Sequence, residues 1–356
     1  MKGMPLQARR VFRLAFILAI SLAAAYAIAM PLPFIAPLLA VILASKPAPP
    51  MQAGQLFGLI LVLLITLATG LLLIPMLLHY SFTAILLITL GIYFSFYLTI
   101  NKGQVLVGMF LTVGFTLISA AGTIHFALAT TLIQALAMGI AIAVIIQWLV
   151  YPLFPEDHVA ETPPTTPGAS ESNWIALRGT VVVLPIYLLL LVNPAMYMPI
   201  IMKGVSLAQQ SSEVDADNAG KELLGSTFLG GFHAILFWVL LSIFPHLWIY
   251  FLLMLLSGIY YASKIYQLLP SKYPASFWLN VVMTMLILLG ISVNDADTGK
   301  DVYQAFFVRM SLFILVTLYA VAAVYLMEYL RARHLARQSG SGGSDSTSSD
   351  KLFEHP

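Results

Sequence analysis

The chain has 356 residues, 60% hydrophobic and 9% charged, with a formal net charge of +2 and a mean hydropathy of +0.93. A water-soluble globule carries about a quarter charged residues, so this composition excludes one and makes a bilayer the consistent solvent. The small net charge, with no basic stripe interleaved with aromatics, excludes a nucleic-acid groove, and the absence of cysteine excludes disulfides and thiolate metal sites.

Arg9, Arg10 and Arg13 precede the first apolar run, and Ala25-Tyr26-Ala27 has the small-residue pattern of a signal-peptidase site. A second apolar stretch follows at once, so the run is expected to stay as a first membrane helix. Apolar stretches long enough to cross fall near 11–30, 53–75, 82–100, 104–123 and 126–150, then near 174–193, 220–244, 247–268, 275–293 and 303–329. Two shorter segments are broken by proline: 31–45, with Pro31, Pro33 and Pro37, and 194–209, with Pro194 and Pro199. At 1.5 Å per residue each spans about 21–24 Å, less than the roughly 30 Å hydrocarbon core.

Positive charge decides whether they cross. If both do, Lys46, Lys102, Lys203, Lys221, Lys264, Lys272, Arg178, Arg331, Arg333 and Arg337 all face the cytoplasm, as do both termini. The other side then holds His79, His125, His246 and the acidic turn Asp295-Ala296-Asp297, with Lys300 its one cation. The organisation expected is therefore a first membrane repeat over 1–152, a polar cytoplasmic linker over 153–173, a second repeat over 174–330 and a disordered cytoplasmic tail over 331–356, rich in Ser and Gly from Gln338 onward.

The halves echo one another. Gly91-Ile92-Tyr93-Phe94 is matched by Gly258-Ile259-Tyr260-Tyr261, and Gln55-Leu56-Phe57-Gly58 by Glu222-Leu223-Leu224-Gly225, each 167 residues apart. The fold class is thus all-α, a polytopic membrane protein of about twelve transmembrane helices in two homologous six-helix repeats. A chain built twice within a bilayer points to a carrier whose site lies where the halves meet.

The arginine-led first helix running into Pro33-Phe34-Ile35-Ala36-Pro37-Leu38-Leu39-Ala40-Val41, and the glycine-bearing stretch Gly220-Lys221-Glu222-Leu223-Leu224-Gly225-Ser226-Thr227-Phe228-Leu229-Gly230-Gly231, resemble the fusaric acid resistance (FUSC) and aromatic acid exporter superfamily of bacterial inner-membrane efflux proteins. The likeness covers about residues 10–330. A short linker stands where larger members carry a cytoplasmic domain, and Gln55 stands where a basic residue is expected. The resemblance implies export of hydrophobic or aromatic weak acids, together with a periplasmic membrane-fusion adaptor and an outer-membrane channel.

No nucleotide phosphate loop, H-E-x-x-H pair or G-x-S-x-G elbow occurs, and the seven histidines lack metal-ligand spacing. No cofactor is expected and the protein is not expected to be an enzyme. Pro33, Pro37, Pro194 and Pro199 mark interrupted helices whose free N–H groups suit a carboxylate, or simple packing kinks. Lys46 and Lys203, read at the cytoplasmic ends of those segments, either draw an acid or snorkel to lipid phosphates. Arg309, two turns into the last helix, is the first choice for an anionic substrate, its alternative being a salt bridge to the nearby acidic turn. His233 and Glu222 are the proton-coupling candidates, against a neutral interhelical histidine and an ordinary first-turn carboxylate. Tyr93 and Tyr260, at equivalent repeat positions, are placed to face one another across the pseudo-twofold axis and border an aromatic acid, or to pack generically. Stripes of small residues, Ala135/Gly139/Ala143 and Thr227/Gly231, suit close helix contacts or a homo-oligomer interface.

The function expected is proton-driven efflux of organic acids across the inner membrane: Arg309, Lys46 and Lys203 draw the carboxylate, Tyr93 and Tyr260 flank its apolar part, and His233 or Glu222 takes a proton from outside. A passive anion channel, a non-transporting assembly subunit and a membrane-embedded enzyme are the competing readings.

Overall fold

A computed structural model describes residues 4–157, 169–211 and 220–342. Among these residues there are twelve helices and no strand. In the first half they are α1 (Leu6–Ala27), α2 (Ile35–Ala44), α3 (Ala53–His79), α4 (Ser81–Asn101), α5 (Val105–Ile124) and α6 (Phe126–Val150). The second half has α7 (Ala169–Val192), α8 (Pro194–Ser211), α9 (Gly220–Ile243), α10 (Leu247–Ile265), α11 (Ala275–Asp297) and α12 (Val302–Gly342). Ten are long and apolar enough to cross a membrane, the exceptions being α2 and α8. The outer shell presents large apolar side chains such as Phe57, Leu72, Phe82, Phe228 and Phe307. In water that surface would aggregate; in lipid it is the solvated face.

Helix direction alternates through the described residues. At one end, Lys46, Met51, Val105 and Ser276 line a common crevice, and the Tyr266 hydroxyl donates to the Ala44 and Ser45 carbonyls at 3.3 and 2.8 Å. Arg9, Arg10 and Arg13 meet residues 154–157 there. At the opposite end Tyr26, Leu241, His246 and Val293 share a pocket, and Asp295 meets Arg309. Lys102 and Lys264, following α4 and closing α10, therefore lie at the same, basic end.

The proline-broken segment of the first half is shorter as a helix than the sequence suggests. At ten residues, α2 spans about 15 Å, and a turn over residues 28–34 leads into it from α1. Ala29 and Leu32 hold φ of 50° and 53° in that turn, where an L side chain is strained. Met30 and Phe34 are buried, whereas Ile28 and Ala29 of the same turn are exposed. Phe34 sits so close to Gly290 of α11 that a Cβ there would lie 2.2 Å from its ring.

Packing is reciprocal between the halves. The first helix, α1, packs on α10 of the second half, and its counterpart α7 packs on α4 of the first. Likewise α2–α6 is matched by α8–α12, and α3–α5 by α9–α11. Exchanging the halves preserves the pattern, as a two-fold relation between parallel repeats requires. Around that axis α11 meets α2 while α8 meets α5.

Two expected boundaries move. α12 continues through Gly342, past the expected start of the tail at 331, because Arg331, Ala332, Arg333 and Leu335 are good helix formers; 343–356 lie outside the described residues. α7 begins at Ala169, inside the expected 153–173 linker, of which 158–168 are likewise not described. Residues 154–157 form a strap. Phe154 stacks between Phe12 and Phe16 at 6.0 and 5.8 Å, and Glu156 accepts from Arg10 and, at 2.6 Å, from Arg13. Burial works against the Glu156 charge, but the hydrogen bonds and charges of Arg10 and Arg13 outweigh it and hold its carboxyl below the usual range. Asp157 is lowered chiefly by its hydrogen bond from Arg9.

Candidate functional site

Lys203 is the centre of the interior polar arrangement. It sits midway along α8, not at the cytoplasmic end expected, because the helix runs on to Ser211. Nine residues from Pro194, it lies about 14 Å along the helix axis, near mid-bundle. The residue is 0% exposed. Its Nζ donates to Asn280 Oδ1 and Thr284 Oγ1 of α11, both at 2.7 Å. Asn280 in turn donates through Nδ2 to Ser226 Oγ of α9 at 2.5 Å, and Ser226 donates to the Glu222 carbonyl. Asn280 and Thr284 share one face of α11 through their four-residue spacing. Among the described residues no carboxylate lies within ion-pair distance of Lys203.

The arrangement belongs to the second repeat. A shift of 167 residues places Lys203 opposite Ala36, and α2 is wholly apolar. The repeats therefore meet as one charged half-site against one greasy one.

A cavity of about 370 Å³ opens at the basic end among α2, α5, α8 and α11, the four helices around the two-fold axis. Its walls include Val41, Leu43, Leu106 and Leu279, and Lys46 stands exposed at its mouth. Ser206 and Met283 also line it, the hydroxyl 3.8 Å from the thioether sulfur. Lys203 lies three residues deeper on α8. A second cavity, about 420 Å³, opens at the far end and is lined by Met196, Lys300, Gln304 and Arg309 among others. α8 thus carries Met196 in one cavity, Ser206 in the other and Lys203 between them.

Arg309 does lie at a cavity wall, but it is engaged: it donates to Asp295 of the acidic turn, with Lys300 4.0 Å from the same carboxylate. The structural salt bridge is the arrangement seen. The proline positions behave differently from one another. Pro194 opens α8 as its first residue, with Asn193 Oδ1 accepting from the Met196 N–H at 3.3 Å. Pro199 lies inside α8, Pro33 lies in the strained turn, and Pro37 is buried early in α2.

Tyr93 and Tyr260 do not face one another. α4 packs on α3, α5 and α7, whereas α10 packs on α1, α9 and α11. Tyr260 is 41% exposed and its ring meets His233, Tyr261 and Trp278 at 6.2, 5.4 and 6.0 Å; Tyr93 is half-buried on the other side. In the helical register it is Tyr261, the next residue, that turns inward, its hydroxyl on Met285 Sδ at 3.4 Å. His233 belongs to this aromatic group, also meeting Phe232 and Tyr261 at 5.8 and 5.7 Å. Glu222 lies in the π-helical turn Gly220–Leu224 that opens α9 at the basic end. Neither touches Lys203.

The small-residue stripes make internal helix contacts. Gly139 faces Leu39, Ile35 and Ala36 of α2, Gly231 faces Met310 of α12, and Thr227 meets Thr317 at 3.3 Å. Gly230 lets α9 approach α11 beside Thr284, and Gly70 lets α3 approach the Gly114 carbonyl in the π turn Gly114–Ile118 of α5. Asn280, Thr284 and Ser226 were not singled out from sequence. The four-residue spacing of the first two, inside an apolar run, was the signal available.

No curated protein and no solved structure matches the chain. Residues 10–150, which take in most of α1 and all of α2–α6, match the model of a family described as a protein of unknown function (DUF2955).

Proposed function

We propose that this protein is a membrane carrier for hydrophobic or aromatic organic acids, with its site between the two repeats. The observation that carries this reading is Lys203: a wholly buried lysine held by neutral partners at mid-bundle, near an apolar crevice. An ionisable side chain in a membrane interior is costly and is retained for function, and among the described residues no carboxylate pairs with this one. A crevice of this size suits a one- or two-ring molecule, and its apolar walls with one lysine behind them suit a carboxylic acid. Lys46 at the mouth adds attraction for anions.

The positive-inside rule supports a cytoplasmic location for the basic end. The resemblance to aromatic acid exporters supports outward transport across a bacterial inner membrane, with a periplasmic adaptor as partner. With no nucleotide cradle in the chain, ion or solute gradients supply the energy.

The test is flux of radiolabelled benzoate in proteoliposomes of the purified protein. The expected result is saturable uptake and counterflow, competed by other aromatic acids and untouched by benzamide, which has the same shape without the charge. Non-saturating currents in planar bilayers would replace the carrier by a channel, and absence of any acid flux would remove transport by this chain alone.

A further inference from the structure

The surroundings of Lys203 bear on how a carrier of this kind would handle protons, and this step rests on the carrier reading above. An ammonium taken out of water costs several kcal/mol unless an opposite charge lies against it. The acceptors on Lys203 are an amide oxygen and a hydroxyl. On the helices packed against α8, Arg178 of α7 pairs with Glu328 of α12, and Asp295 of α11 with Arg309 of α12. Of the tyrosines there, Tyr187 shares a hydrogen bond with Ser119 at 3.1 Å and Tyr319 donates to the Val181 carbonyl at 2.6 Å. α5 has no ionisable side chain, and across the crevice α2 is followed by another cation, Lys46. The group therefore has two low-cost states: an amine when the site is empty, and an ammonium when a carboxylate lies against it.

We infer that Lys203 takes up one proton with each carboxylate it binds, so that acid and proton cross the membrane in the same direction. On loading, the amine, a proton and the anion combine into an ammonium–carboxylate pair. On release at the other face the ammonium returns its proton as the anion leaves. No bond of the substrate breaks, and net charge moved is zero. The proton thus belongs to the lysine rather than to His233 or Glu222, which lie in the aromatic group and at the basic end. The direction of flow is then set by the gradient of the acid with its proton. An inward proton gradient opposes export through this site instead of driving it.

Calorimetric titration of benzoate into the detergent-purified protein tests this, at one pH in phosphate and in Tris, whose ionisation enthalpies differ. The result expected is a buffer-dependent heat equal to about one proton taken up per benzoate. Lys203→Arg, which keeps its charge in every state, should bind benzoate with no proton uptake, whereas His233→Gln and Glu222→Gln should leave the uptake unchanged. Binding without buffer dependence in the wild type overturns the inference, as does proton release, or uptake that persists in Lys203→Arg. In proteoliposomes, benzoate flux should be indifferent to a valinomycin-clamped potential; potential-driven flux would overturn electroneutral coupling while leaving the carrier reading intact. Absence of both binding and flux would instead sink the carrier reading, and this inference with it.

Discussion

Replacing Gly230 by alanine links packing directly to the site. A Cβ there would lie 2.7 Å from the Val281 carbonyl oxygen and 2.7 Å from Thr284 Cβ, where ordinary contact begins at 3.4 Å. One obstacle is backbone and the other a β-carbon, so neither swings aside, and α9 must retreat from α11 by about 0.7 Å, the difference between those two distances. Overpacking of this kind costs about 1–3 kcal/mol. One turn earlier the same two helices are joined by Ser226 and Asn280 at 2.5 Å, a contact that such a shift lengthens to the edge of hydrogen bonding. Asn280 would then hold Lys203 less firmly. The expected outcome is unfolding in SDS mixed micelles at lower detergent fraction, by about 1–3 kcal/mol, with benzoate affinity weakened about tenfold, or roughly 1.4 kcal/mol. Gly54→Ala, at a glycine with nothing within 4 Å, is the control and should be neutral or slightly stabilising. Parental stability and affinity in Gly230→Ala would refute the idea that the α9–α11 approach shapes the site.

Further outcomes follow from the charged pairs and the inter-repeat contacts. Asp295→Asn leaves the largely covered Arg309 without its carboxylate and should cost about 1–3 kcal/mol, less than the 3–5 of a fully buried pair; adding Arg309→Met should restore most of it in the same unfolding assay. Glu156→Gln tests the strap. Because the Glu156 carboxyl is held below its ordinary value of 4.5, its contribution is present above that pH and fades as pH falls through the lowered value. The melting difference between wild type and Glu156→Gln should be largest at neutral pH and close as pH falls through that lowered value; a pH-independent difference would contradict the ion pair. Tyr266→Phe removes the hydroxyl that holds the end of α2, which burial pushes up to about 12. It should cost about 1 kcal/mol and raise the accessibility of a cysteine placed at Lys46, measured by maleimide labelling.

The crossings were legible because membrane solubility is written into composition. The stretches 53–75, 126–150 and 275–293 reappear as α3, α6 and α11. What the sequence did not yield is which way each side chain points. In water an amphipathic period separates core from surface, but in lipid both faces of a helix are apolar, so the period fades. Tyr260 and Tyr261 differ by one residue and face opposite environments, and Lys203 reads as an interfacial lysine until α8 is seen to continue past it. Arg309 was located correctly beside the acidic turn, and its pairing with Asp295 was the alternative already open. The strained turn at Ala29 and Leu32 had no sequence signal, since neither residue favours positive φ.

Equilibrium binding of radiolabelled benzoate to purified wild type and to Lys203→Met tests the central claim most directly. Methionine fills the same volume without the charge, and elution profile and helical content check its folding. Saturable binding by the wild type, weakened at least tenfold in Lys203→Met and unaffected by benzamide, is the result this account predicts. Equal binding by the two proteins would show that the buried lysine is not where the acid sits.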